Sequence, residues 1–503
     1  MKINKFLAST LLLIFSAIGV NGQEKNIKDV VTFELKNIGT IQNNSEITGY
    51  YMFYETDKLS RKVYSYELRI LDQNLNDLSS KTIEGSKNLF LLDVVYNNKE
   101  LMLKFYETKK RKMIFRKFDN NLEEIMKTER KADRTEAATL AYVLDNDEGK
   151  NFFLHPIENV GFVNYRIEFK KMKLGYVIDF YPSNPDLKQW SVSKDKKSKF
   201  NEFPALLYAD ENQIINILSR SKKLRSKNYD YLVQTLDAKT GELIFEKEIT
   251  DENYDLTFLG GFVNNSDDNF YLTGSYYPKG EGKFNKPSTG FFAVEIDNNG
   301  NIVEKNFISW ETDVAEFIDI DEEGKISDVG YLSFHNILKN ADDNYYFVAE
   351  QYNKKVKGLS VDLIIDDIMI LELDKDFKLQ NVRVIDKDIT HYDVPSGTGL
   401  NSPQTLSYLA KSDGAFDYQF SRSNQDNSII TIGYVDEINK TRKFNFGSIT
   451  YTDSEPVYDN FEITTAGNKN NIKVLPAKAG NVVIIKYNPK EKSLDMTIQK
   501  LKY

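Results

Sequence analysis

The chain is 503 residues long, with 66 Lys and Arg against 75 Asp and Glu, a net charge of −9, and no cysteine. That composition excludes disulfides, thiol nucleophiles, thiolate metal ligands and a lipid-modified N-terminal cysteine. It also lacks the clustered positive charge that nucleic acid or an anionic membrane demands. A chain this long buries a large core without covalent staples, and its 30 Tyr and 32 Phe favour strands over helices.

In chain order, residues 1–22 come first. Lys2 and Lys5 precede an uncharged run from Phe6 to Val20, and Gly22 offers a small-residue exit. This is the pattern of a secretory signal peptide, and the run is too short to cross ~30 Å of hydrocarbon comfortably as a membrane anchor. The expectation is an exported protein of the periplasm, the outer cell surface or the medium. The remainder, 23–503, holds no transmembrane segment, since no other apolar run approaches ~18 residues.

Val30 to Lys36 (VVTFELK) alternates as a strand. After it, one hairpin recurs eight times: a turn of Asn, Asp or Gly enters an apolar strand. Clear copies are Asn97-Asn98-Lys99-Glu100 before LMLKFY, Ser266–Asn269 before FYLTGSY and Ala341–Asn344 before YYFVAEQ. Asp145–Lys150 before NFFLHP is read as the third. A second hairpin follows each, its leading strand often ending in Asp: Asp72, Asp119, Asp237, Asp297, Asp374 and Asp453. Asp and Asn suit these places because their side chains cap the turning backbone and tolerate left-handed conformations. Each unit therefore reads as four strands, A to D, with tight A–B and C–D turns. In the third, the second turn falls near Pro182–Asp186.

Repeats of this size predict an all-β, β-propeller fold of four-stranded antiparallel blades. Eight blades are favoured and seven is the alternative. Two packed β-domains dividing near Lys194–Phe200 are a further one. The last unit stops one strand short, so the strand at 30–36 is expected to complete it and close the ring. The pattern resembles exported bacterial β-propeller proteins of uncharacterised function, although the Trp-Asp ending of WD repeats and the paired glycines of kelch repeats are both missing.

Long connections are where sites form. They fall on the face shared by B–C and D–A connections, mostly in units five to seven: 277–289, 311–330, 353–366 and 388–414, with 156–175 added from unit three. Asp319, Asp321 and Glu323 alternate ahead of Gly324 as in a calcium loop, although position 330 is Gly where a bidentate Glu belongs. A solvated acidic loop explains the same residues. Trp310, His391, Tyr392 and Asp393 are the candidate ligand-binding residues, the aromatics suited to stacking on a sugar or peptide and equally suited to packing. Ser396-Gly-Thr-Gly resembles a phosphate loop, with no Lys and no recognisable helix after it. HExxH, the Walker loop and the nucleophile elbow are absent.

The function these features point to is non-enzymatic binding of a protein or glycan at the loop-rich face. The alternatives are a carbohydrate-active enzyme with carboxylates on that face, or a structural component of a surface complex.

Overall fold

A blade can close into a ring only if its middle strands bury both faces against neighbours. Such strands lose the in–out alternation of a half-exposed sheet. Glu100–Glu107 is buried at every position, whereas Glu124–Lys131, the outermost strand of the same sheet, alternates between exposed and half-buried. In the computed structural model of the chain this contrast repeats around a β-propeller of eight four-stranded antiparallel sheets, blade six carrying an additional strand. Described are residues 23–502, apart from 34–36, 44–45, 135, 138–139, 141–153, 171–172, 195–196, 224–229, 264–268, 281–287, 323, 327–329, 358–359, 395–402, 413, 439–442, 453–454 and 466–470. The segment 1–22, expected to be a signal peptide, lies outside them.

Blades one to seven occupy 38–86, 89–131, 154–193, 201–248, 254–309, 331–385 and 418–464, their strands laid A to D from the channel outward. Blade eight takes its A, B and C strands from Ile472–Pro476, Asn481–Asn488 and Ser493–Lys500, and its D strand from Glu24–Ile27. Eight apolar cores lie between neighbouring blades, the last joining blade eight to blade one through Val483, Ile485, Tyr50 and Met52. That closed count excludes seven blades. The core of blades three and four spans the division considered near Lys194–Phe200.

The closing strand is Glu24–Ile27, paired antiparallel with Leu494–Thr497, rather than 30–36. Val30 and Phe33 are instead buried between blades eight and one, as the chain crosses from one to the other. The apolar alternation reported burial; the outermost strand buries only Ile27 and leaves Glu24 and Asn26 exposed. Blade three is also shifted from expectation. Leu154–Ile157 is its A strand, so its A–B turn is 158–160 rather than Asp145–Lys150. Likewise 156–175 is no loop, because Gly161–Lys170 and Lys173–Pro182 form one tight hairpin.

The repeated Asp does what its chemistry predicts. Asp297 Oδ1 accepts from the amides of Asn299 and Asn301, at 2.9 and 2.7 Å. Asp72, Asp119, Asp237 and Asp374 cap their C–D turns in the same way. Asp453 lies outside the described residues. In three of these turns the residue at positive φ carries a large side chain: Leu75 at 63°, Leu122 at 61° and Phe377 at 56°. Each is buried between blades.

Candidate functional site

The connections of blades five to seven are built structure. Strand B of blade six, Tyr345–Lys357, and strand C, Ser360–Leu373, overrun the ring as one long hairpin, where a loop at 353–366 was expected. The connection after blade six adds a fifth strand, Thr390–Asp393, paired with Asp362–Ile365. It then adds a ten-residue helix, Pro403–Ser412, which the sequence reading missed. Leu406 and Ala410, one helical turn apart, bury that helix against Tyr352, Leu363, Ile365 and Phe416, a ninth apolar core lying outside the ring's eight. These elements form a cap on one face. The Ser396-Gly-Thr-Gly segment lies outside the described residues, and the helix that the sequence reading did not find there begins at Pro403.

The cap is held by buried charge. Lys387 Nζ donates to Asp417 Oδ2 at 2.6 Å and lies 3.3 Å from Glu350 Oε1, with all three side chains fully buried. Glu350 also accepts from the amides of Asp417 and Tyr418, at 2.9 and 3.1 Å, and meets His335 Nε2 at 3.1 Å. Burial alone would raise the Glu350 pKa, but the Lys387 charge and these hydrogen bonds outweigh it and hold the group at about 2. Desolvation lowers the pKa of His335, whose ring stacks on Tyr418 at 4.7 Å. The same stretch is pinned to blade six by Lys387 N to Asp367 Oδ1 (3.1 Å). To blade seven it is pinned by Thr390 Oγ1 to Asp417 Oδ1 (3.0 Å) and Asp388 N to Asp436 Oδ2 (2.8 Å). Asp436 Oδ1 is buried and, among the described residues, has no hydrogen-bond partner, and desolvation pushes that carboxyl up to about 6.

Beneath the cap lies a channel recess of about 290 Å3. The A strands of neighbouring blades press together between four and five and between six and seven, but part between five and six, where the recess opens. Leu206, Leu207, Phe262, Phe334 and Phe347 give it apolar walls, and Lys411 of the helix stands at its edge. A side-chain atom added at Gly260 would meet nothing within 4 Å, so the absent side chain there is part of the space.

Of the residues singled out from sequence, Trp310 is 3% exposed and packed on Phe334 and Phe291. That burial corrects the expectation that it presents a stacking face. It opens a five-residue π-helix at the end of blade five, and Gly324, at φ 72°, lies flat against its indole. Asp321 caps its own turn, its Oδ1 accepting from Lys325 N at 2.8 Å, and Asp319 is exposed. Glu323 lies outside the described residues. Among those residues no group of three or more His, Asp or Glu side chains is gathered to hold a metal ion. On the fifth strand, His391 and Asp393 face outward together while Tyr392 turns toward the cap core. His391 Nδ1 is 2.9 Å from Asp362 Oδ2, which ties that strand to the hairpin. Sequence reasoning missed Glu350, Lys387, Asp417 and Lys411. Nothing local marks them, because their partners lie tens of residues away.

The sequence model of one family, described as "Family of unknown function (DUF6770)", matches residues 1–502. No curated protein matches the chain. Among solved structures, it is similar to a quinohemoprotein alcohol dehydrogenase from Pseudomonas putida at 11% identity and TM-score 0.40, over 95% of this chain and 78% of that one. The β-propeller domain of a trilobed protease from Pyrococcus furiosus gives 12% and 0.33, over 71% and 96%. The WD40 domain of SCAP from fission yeast gives 8% and 0.26, over 95% and 98%. At these TM-scores none of the likenesses carries an argument.

Proposed function

The chain belongs to this family of unknown function, and from its geometry we propose that it is an exported, non-enzymatic binding protein whose cap face, over blades five to seven, holds a protein or glycan. The observation that carries the reading is the cap itself. Here the chain departs from the propeller repeat, builds a separate apolar core and anchors it with fully buried charge, above a recess in the channel wall. Sites are preferentially built where irregular segments are held by a rigid scaffold. The strongly perturbed groups Glu350 and Lys387 support a binding role over catalysis, because their charges are spent on each other and on Asp417, out of contact with solvent. Export rests on the 1–22 pattern, with the periplasm, outer surface or medium as destination. Among the described residues no helix is long and apolar enough to cross a membrane.

The test replaces 354–361 by a tight turn, which removes the end of the hairpin, and compares this variant with the full chain on glycan arrays and defined envelope proteins. A ligand bound by the full chain and lost by the variant, with thermal unfolding of the ring unchanged, supports the reading. A ligand held equally by both refutes it, and turnover of a glycan would replace it by the enzymatic alternative.

A further inference from the structure

The recess beneath the cap continues down the channel. A second hollow of about 440 Å3 shares Phe262 and Ile337 with it and extends past Lys339 and Asn340 to Asp426 and Asn427 on the opposite, A–B turn side. The two follow strand A of blade six from Phe334 to Asn340, a length of roughly 20 Å at ~3.3 Å per residue. That run is far longer than a compact small molecule; for comparison, a cavity of ~150 Å3 holds one benzene ring. Strand A is the edge of its sheet and pairs, among the described strands, with strand B alone, so its inner side is the kind of edge along which an extended chain can lie.

The two ends differ in charge. At the cap end stands Lys411, whose ammonium donates to the Phe334 carbonyl oxygen at 2.7 Å and, among the described residues, makes no ion pair. Its side chain is exposed, so a bound anion can reach the ammonium. At the far end are Asp426 and the Lys339–Asp343 pair, which leave no comparable cation. The recess that Lys411 shares with His335 and Asn336 is also lined by Leu206, Leu207, Phe262 and Phe334.

We propose that the recess takes the free C-terminal carboxylate of an extended partner peptide, with a bulky apolar last residue between blades five and six, Lys411 pairing the carboxylate and the preceding residues lying along strand A of blade six. This deepens the binding reading and rests on it, because it names the part of a protein partner that enters the channel mouth.

The probes are N-acetylated octapeptides ending in Phe, Leu or Trp, each as the free acid and as the C-terminal amide, titrated by fluorescence anisotropy, with octanoate alongside. The acids are expected to bind at least tenfold more tightly than their amides. Lys411→Met should erase that difference, while Gly260→Phe, which fills the recess, should weaken both forms. Amides that match the acids overturn carboxylate recognition, and their loss in Gly260→Phe would leave the cap-face site standing. Octanoate binding as tightly as the peptides overturns the peptide assignment in favour of a free apolar acid. No binding by any probe overturns the inference without touching the hairpin-truncation test of the broader reading.

Discussion

At the residue scale, the turns show two local preferences in conflict. Leu122 sits at φ 61°, where glycine would relieve about 1–2 kcal/mol of backbone cost, yet its side chain is 1% exposed between blades. Losing a buried leucine side chain costs about 2–5 kcal/mol, so burial wins. Leu122→Gly is therefore expected to destabilise by about 1–3 kcal/mol in urea unfolding; a neutral or stabilising result would mean the side chain contributes little. Asp297→Ala, which strips the cap from Asn299 and Asn301, should lower the urea midpoint in the same assay, and an unchanged midpoint would mean that the cap contributes nothing. These turns were legible in the sequence because an Asp caps amides only a few residues ahead of it. Lys387, Glu350 and Asp417 were not, since the pairing of a buried charge is a fact about distant strands.

At the element scale, the Lys387 clasp decides whether the cap stays seated. Lys387→Met leaves two buried carboxylates facing each other and should cost about 3–5 kcal/mol, read as faster hydrogen exchange in 403–412. The clasp also carries two opposed pH dependences. The Glu350 pKa is held near 2, below its ordinary 4.5, so its contribution is full above about 4.5 and is lost as pH falls through 2. Asp436 is raised from 3.8 to about 6, so its contribution is full below 3.8 and is lost as pH rises through 6. Stability should accordingly rise, on the order of 2 kcal/mol, as pH falls from 6.5 to 4.5. Asp436→Asn should flatten that rise, and an unchanged slope in denaturant titrations would assign it elsewhere. The helix within 388–414 and the overrunning hairpin escaped the sequence reading for a physical reason. Each has an apolar pattern too short to distinguish from loop, and each is stabilised by the other.

At the scale of the whole molecule, the repeat was legible because every blade must present the same two buried faces. Its closing strand was misplaced because outermost strands are free of that demand. EKNI offers a single apolar residue, Ile27, while VVTFELK, which contributes Val30 and Phe33 to the core between blades, carries a strong apolar signal. Deleting residues 23–29 removes the strand that completes blade eight. The melting temperature should fall by several degrees, with exposure concentrated in Ser493–Lys500; an unchanged melt would show that the ring does not depend on that strand.

The central claim is that binding falls on the cap face and channel mouth of blades five to seven. Hydrogen exchange of residues 23–503, free and with a ligand found on the arrays, is the most direct test. New protection is expected in 260–262, 334–340 and 403–412, with blades one to three unchanged. Protection confined to blades one to three, with the channel between blades five and six unaltered, would contradict it.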